Sequence, residues 1–356
     1  MTPDDLRTQI EQPFTSAGLY FHRFDFDAGA MIWTPMTRAR YRASSFLDDR
    51  ITRAANVELS VPIDAVWEHF VDLAPALPPP RLVLHTGYCG STLLARVLGQ
   101  APGVLVLREP VPLLQLGLAR AEPERLCGRD WDQMLALTLA LLSRTLAPAD
   151  LVVVKATSLC NVMLPALLAP ERRALFLSTG LGDTIAAHAK SSVRVAEARA
   201  FFRHFAHALA GLVEAAASLV TDRVVDRLDD YQIIAANWAM QRWLARSHSG
   251  PGHLLELSAD AFLADPASAV STVAAQLGLG LDERAVSALV RDPVLSTHAK
   301  PAPGRAPRPY SAAVRRRELD TWRAAHAPDL AATTDWLRTW TRAHGLGELD
   351  QLLGPD

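Results

Sequence analysis

The sequence predicts an α/β fold, a three-layer α/β/α arrangement around a mostly parallel central sheet, and two observations carry that expectation. Short apolar runs at residues 82–84, 104–107, 151–154 and 174–177, with a last strand at 253–257, alternate with longer stretches of helical periodicity. Runs that are apolar at nearly every position suit strands covered on both faces, as in a parallel sheet. The second observation is that the first run passes through a glycine-bearing turn straight into a helix.

That turn lies within residues 81–98, Arg-Leu-Val-Leu-His-Thr-Gly-Tyr-Cys-Gly-Ser-Thr-Leu-Leu-Ala-Arg-Val-Leu. Gly87 and Gly90 remove two side chains where the backbone must bend sharply. Successive N–H groups can then point into one concavity at the positive end of the following helix, which suits a phosphate or sulfate. Ser91 and Thr92 add hydroxyl donors, but no Walker lysine precedes them, which disfavours an ordinary ATPase. A Gly-x-x-Gly pattern alone can also be a plain strand-to-helix turn. Downstream, Ala101-Pro102-Gly103 ends the helix, and Arg108-Glu109-Pro110 places a carboxylate at the C-terminal end of the next strand. Open parallel sheets bind their ligands at that edge.

These residues resemble the sulfotransferase family, whose loop reads roughly Arg-Ser-Gly-Thr-Thr-Leu before a helix, a proline, a strand and a glutamate. Tyr88, Cys89, Gly90, Ser91, Thr92 and Leu93 take the place of the loop, Pro102 of the proline and Glu109 of the glutamate. The spacing from Gly90 to Glu109 is similar to that of the tyrosylprotein branch. The resemblance implies a P-loop domain in which residues 87–93 hold the 5′-phosphosulfate of 3′-phosphoadenosine 5′-phosphosulfate (PAPS), with Glu109 as base. Tyr88 stands where relatives carry Arg or Lys, so a cation must come from elsewhere. Lys155 follows the run 151–154 and resembles the lysine of the family's Lys-x-Pro or Lys-Thr-His motifs, which makes it the candidate. A lysine there can also simply end a strand in solvent. Thr157 stands where some relatives have a base histidine, which favours Glu109.

Residues 178–183, Ser-Thr-Gly-Leu-Gly-Asp, occupy the position of the family's Arg-Asp-Pro-Arg-Asp-like turn, which with a later serine contacts the 3′-phosphate. Alignment on Asp183 puts Thr179 at the arginine and Ala187 at the serine, with His188, Lys190, Ser191 and Arg194 following; Asp183 itself is expected as an N-cap. Between Pro293 and Arg317 there is no acidic residue, while Lys300, Arg305, Arg308, Arg315, Arg316 and Arg317 are basic. His298-Ala-Lys300 followed by Tyr310 resembles the family's late Ser-Lys segment, so Lys300 and Arg305 are the expected source of charge for the 3′-phosphate. A solvated linker is the other reading. Asp260-Ala-Phe-Leu-Ala-Asp-Pro resembles the family's Tyr-Glu-Asp-Leu-x-x-Asp-Pro, and the whole resemblance spans residues 81–310.

Around that stretch, residues 1–78 read as an appended N-terminal segment ending at Pro78-Pro79-Pro80, residues 79–310 as the P-loop domain and 311–356 as a C-terminal helical extension. Residues 21–26 and 31–34 suit a hairpin, and Arg38, Arg40 and Arg42 suit a capping layer with solvated guanidiniums. Helices are expected at 111–118, 131–146, 159–168, 201–217, 231–246 and 267–277, with Trp238 and Trp243 in the core. The balance of 36 basic against 38 acidic residues argues against a nucleic-acid binder built on phosphate neutralisation. Cys89, Cys127 and Cys160 form neither a disulfide framework nor a zinc spacing. Cys89 is either a reactive thiol in a helix-N-terminal loop or a small residue filling a tight turn. An acidic start, with no apolar stretch of roughly 20 residues, predicts a cytoplasmic protein without a membrane partner.

The first functional reading is sulfuryl transfer from PAPS to a hydroxyl acceptor, a small molecule or a peptide side chain. Glu109 would take the proton while loop N–H groups and Lys155 stabilise charge, with no metal required. A second is a magnesium-dependent P-loop phosphotransferase or hydrolase without the Walker lysine, against which no strand-terminal Asp follows 151–154 or 174–177. A third is a non-catalytic nucleotide-binding protein on the same scaffold. The acceptor's identity and the oligomeric state are not legible in the sequence.

Overall fold

The computed structural model describes residues 16–53, 58–73, 78–168, 172–210, 226–249, 253–298, 309–346, 349, 351 and 353. The chain opens on a small antiparallel sheet. Strands β1 (Leu19–Asp25) and β2 (Ala30–Pro35) form the expected hairpin, its turn closed by Gly29 at φ 61°, with a register slip between Phe21 and Arg23. A third strand, β3 (Leu59–Pro62), pairs with β2; its short polar-flanked sequence gave no strand signal. Helices α1 (Arg38–Ala43), α2 (Asp49–Arg53) and α3 (Ile63–Leu73) fill the connections.

Arg38 and Arg40 are half-buried rather than solvated as expected, and Arg42, which is exposed, still has a backbone partner. Arg38 grips the buried carboxylate of Asp150 with bonds of 2.7 and 2.6 Å, Arg40 donates to the Ile51 carbonyl at 2.9 Å and Arg42 to the Gly99 carbonyl at 3.0 Å. Planar guanidiniums with several donors suit such backbone and bidentate contacts, and they tie the N-terminal elements to the main sheet.

That sheet has five strands, all parallel: β4 (Arg81–His85), β5 (Val104–Arg108), β6 (Leu151–Lys155), β7 (Ala174–Ser178) and β8 (Leu254–Ser258), in the order β5-β6-β4-β7-β8. Their residues divide between two cores with the period of two that a strand imposes. Leu82, Leu84, Leu105, Leu107, Val152, Val154, Ala174 and Phe176 face one core; Val83, Val104, Val106, Val153, Leu175 and Leu177 face the other. Both faces are therefore buried, which is why the runs read as continuously apolar.

The first core is shared with the N-terminal sheet and with α5 (Val111–Ala119), α6 (Trp131–Leu142), α8 (Leu181–Ala189), α9 (Ser192–Ala210) and α10 (Asp230–Ser247), α7 being the single turn Leu164–Leu167. The second is covered by α4 (Ser91–Leu98), α11 (Ala259–Ala264), α12 (Pro266–Leu277) and α13 (Glu283–Arg291). Helix α15 (Ala327–Ala343) returns to the first core through Leu337 and Trp340, and α14 (Ala312–Ala325) packs against that core through Trp322. Among the described residues no helix is long and apolar enough to cross a membrane.

Three helical expectations change. The stretch expected as one helix at 159–168 is a 3-10 segment, Ser158–Met163, followed by the single turn of α7. Helix α6 stops at Leu142, beyond which Asp150 accepts the N–H groups of Leu146 and Ala147 and holds the chain in a loop. Helix α9 begins at Ser192, well before the apolar periodicity that announced it, and residues 211–217 lie outside the described residues.

Candidate active site

The site is assembled by the C-terminal ends of three neighbouring strands. The central strand β4 ends at His85, whose Nδ1 accepts the N–H of Gly87 at 2.9 Å and so starts the loop. Gly87, Tyr88 and Gly90 then adopt φ values of 82°, 48° and 89°. For glycine the left-handed region carries no steric penalty, whereas at Tyr88 it is a strained conformation held by the surroundings. A Cβ at Gly90 would meet nothing within 4 Å, so backbone conformation and not space demands glycine there. Helix α4 begins at Ser91, and its first N–H groups complete the concavity.

Next to β4 lies β6, which ends in Lys155, and next to β6 lies β5, which ends one residue before Glu109. Glu109 is itself in the left-handed region, at φ 54°, and its N–H donates to the Lys155 carbonyl at 2.6 Å. Its Oε1 accepts from the Lys155 ammonium. The lysine side chain is fully buried while the carboxylate is 23% exposed. Strand order thus brings to one edge the three groups that the sequence scatters over some seventy positions.

They share a cavity of about 500 Å³. Thr86, Gly87, Tyr88, Gly90, Ser91, Thr92 and Leu93 line it from the loop, and Glu109, Lys155, Thr157 and Ser158 from the two flanking strand ends. Opposite stand Ala187, His188, Lys190, Arg194 and Phe201 on α8 and α9, and Ile234, Asn237, Trp238 and Gln241, one stripe of α10 at helical spacing. Helix α14 contributes Arg315 and Leu319, while His298 and Tyr310 form the rim where Thr297 bridges Pro309.

Two predicted residues do not line this cavity. Cys89 is buried beneath the loop, its thiol donating to the Leu177 carbonyl at 3.4 Å, and burial raises its pKa above that of an ordinary thiol. The small-residue reading of Cys89 fits that placement. Thr179 is also buried, with its carbonyl taking the Trp238 indole N–H at 2.8 Å. Lys300 and Arg305 lie outside the described residues. Asp183 is a correction: Gly180, not Asp183, is the N-cap of α8. The Asp183 side chain, 2% exposed, accepts from Arg316 at 3.0 Å and Arg323 at 3.3 Å, so it anchors α14 rather than capping its own helix.

Other contributors gave weaker signals. The Arg315 guanidinium donates to the Tyr88 carbonyl at 3.1 Å, although in sequence it is one of several basic residues in a long run. Arg194 lies over the Tyr88 ring at 4.6 Å. A chain of amides backs the wall: Asn161 donates to the His85 carbonyl and to Gln241, Gln241 to the Asn237 carbonyl, and Asn237 to the Ala198 carbonyl. The stripe on α10 was recognisable as a helix face, but nothing local told what it faced.

The donor set suits an anion. Lys155, Lys190, Arg194 and Arg315 line the cavity against Glu109, Glu197 and Glu318, and the hydroxyl of buried Thr86 meets no protein partner. Loop N–H groups, hydroxyls and guanidiniums are the partners a phosphate or sulfate needs. Among the described residues no group of three or more His, Cys, Asp or Glu is placed to hold a metal ion.

No family model and no curated protein matches the chain. Among solved structures, it is similar to the sulfotransferase domain from the curacin biosynthetic pathway, at 13% identity and a TM-score of 0.38 over 70% of this chain and 98% of that one. It is similar to a sulfotransferase from Alicyclobacillus acidocaldarius, at 16% identity and a TM-score of 0.36 over 74% and 98%. A sulfotransferase from Mycobacterium avium aligns at 12% identity and a TM-score of 0.38 over 93% and 96%.

Proposed function

We propose that this chain transfers a sulfuryl group from PAPS to a hydroxyl acceptor, with Glu109 as base and Lys155 as the cation beside the reacting centre. The observation that carries this reading is the convergence, in one cavity, of a hydroxyl-bearing anion loop with a carboxylate and an ammonium from the two adjacent strand ends. Transfer of this type needs a proton acceptor near the incoming oxygen and fixed positive charge near the oxygens that gain it.

PAPS, when bound, would supply the sulfuryl group, its phosphosulfate end held by Gly87, Gly90, Ser91 and Thr92; the acceptor oxygen would bond to sulfur as the bond from sulfur to the 5′-phosphate oxygen breaks, with adenosine 3′,5′-bisphosphate as the leaving group. Lys155 engages Oε1 of Glu109, which leaves Oε2 to accept the proton of an acceptor hydroxyl. The lysine has three donors, so pairing with the glutamate leaves others for sulfuryl oxygens. Its burial fixes that ammonium in place and strengthens its field relative to a solvent-exposed cation. Glu109 has left-handed backbone and its carboxylate meets Lys155 at the end of the adjacent strand, a strained arrangement of a kind that clusters at functional positions. Cys89 and Thr179 serve this arrangement from below, as packing and as backbone support. The apolar surfaces of Phe201, Ile234 and Leu319 suit the body of the acceptor and help to exclude water.

The test is transfer of labelled sulfuryl from PAPS to a panel of phenols, aliphatic alcohols and tyrosine peptides. Acceptor-dependent product is expected without added divalent metal. Magnesium-dependent ATP hydrolysis with no product from PAPS would replace this reading with phosphoryl chemistry.

A further inference from the structure

The loop lacks a cationic side chain of its own, yet two guanidiniums converge on one of its residues. Arg194 of α9 places its guanidinium carbon 4.6 Å from the centre of the Tyr88 ring, and Nη2 of Arg315 on α14 donates to the Tyr88 carbonyl at 3.1 Å. Both arginines line the cavity. Neither is consumed by these contacts: a guanidinium over a ring keeps its in-plane N–H groups, and Arg315, bonded to the Tyr88 carbonyl and to the Tyr310 hydroxyl, retains others of its five donors. The ring is fixed from its other sides. The Tyr88 hydroxyl donates to Glu197 at 3.1 Å, and His188 packs edge-on at 4.7 Å. Arg194 is further held by a 2.6 Å bond from Nη1 to the Ala187 carbonyl.

We propose that Tyr88 is a platform that recruits Arg194 and Arg315 to the loop, and that these two guanidiniums grip a phosphate- or sulfate-bearing ligand where the loop itself carries no charge. The proposal rests on the loop being the anion site of the proposed function, and it adds the residues that set the loop's charge and hence its preference for highly charged ligands. Planar, bidentate donors favour phosphate- and sulfate-bearing ligands over uncharged nucleosides. Thr86, buried in the same wall with an unpartnered hydroxyl, offers one more donor to such a group.

Calorimetric titration of the full chain with adenosine 3′,5′-bisphosphate, and separately with inorganic pyrophosphate, tests this at one fixed salt concentration. Arg194→Gln and Arg315→Gln are each expected to weaken binding at least about tenfold, as the loss of a charge-assisted hydrogen bond would. Tyr88→Phe keeps the ring and is expected to stay within about twofold of wild type, whereas Tyr88→Leu loses the platform and approaches Arg194→Gln. Adding Arg194→Gln to Tyr88→Leu should then cost nothing more, the non-additivity of two residues acting as one unit. Thermal melts of each variant confirm that it is folded. Wild-type affinity in Arg194→Gln, or strictly additive losses in the double variant, overturns the proposal. Arg194-dependent binding of pyrophosphate without binding of adenosine 3′,5′-bisphosphate would support the platform while removing PAPS as the ligand. If wild type binds neither probe, the proposal is overturned outright.

Discussion

Glu109 and Lys155 are joined twice: the Glu109 N–H donates to the Lys155 carbonyl at 2.6 Å, and the Lys155 ammonium donates to Glu109 Oε1. The first bond extends the parallel pairing of β5 with β6 by one residue beyond Arg108 and Lys155. The second sets the side chains face to face at the cavity floor. Pairing of the strands therefore fixes the geometry of this carboxylate–ammonium pair.

Glu109→Gln keeps the shape of that pair but removes the proton acceptor. Turnover is expected to fall by roughly 10²- to 10⁴-fold, the usual worth of a positioned general base. Binding of adenosine 3′,5′-bisphosphate should change little. Transfer at the wild-type rate would remove Glu109 from the base role.

Lys155→Met leaves the carboxylate without its partner, although at 23% exposure Glu109 can still reach water. A loss of about 1–3 kcal/mol in stability is expected, less than for a wholly buried pair. Urea titrations of both single variants and the double variant check this: Lys155→Met together with Glu109→Gln should cost less than the sum, because the stranded charge is gone.

Asp183→Asn removes the carboxylate that holds Arg316 and Arg323 of α14. With Asp183 buried and both arginines partly exposed, about 2–3 kcal/mol of stability should be lost. A denaturation midpoint equal to that of wild type would show that α14 docks without this anchor.

The thiols give a pH-dependent expectation. Burial raises the pKa of Cys89 and pushes Cys160 from the ordinary 9.0 up to about 11, while Cys127 is exposed. Both buried thiols stay protonated in the native state, so the stability they contribute is complete below the unfolded thiol value. It is lost as pH rises from there through the folded value. Native alkylation at mildly alkaline pH, read by mass spectrometry, should mark Cys127 and spare Cys89 and Cys160. Equal labelling of Cys89 would contradict its placement beneath the loop.

The sheet was legible because its rule is local: Leu82, Val83 and Leu84 are all apolar since both faces are covered, and the glycines at 87 and 90 announce the turn that follows. Glu109 and Lys155 could be placed on one edge because each ends a strand of a parallel sheet. Asp183 misled because a first-turn aspartate looks the same whether it caps its helix or meets arginines 133 and 140 positions away. Arg38 and Arg42 misled for a related reason: their partners, Asp150 and the Gly99 carbonyl, lie 112 and 57 positions along the chain. Arg194 and Arg315 reach the loop only through tertiary contacts with Tyr88, which no spacing encodes. The register of α10 could be read, but not that Ile234, Asn237, Trp238 and Gln241 wall a cavity.

If the loop beside Glu109 and Lys155 takes the sulfuryl donor proposed for it rather than a metal-bound nucleoside triphosphate, calorimetry of the wild-type chain with adenosine 3′,5′-bisphosphate and with ATP, each with and without magnesium, will separate the two. Saturable binding of the bisphosphate that magnesium does not strengthen, and weaker binding of ATP, are expected. ATP binding that requires magnesium, with no binding of the bisphosphate, would contradict the proposed donor.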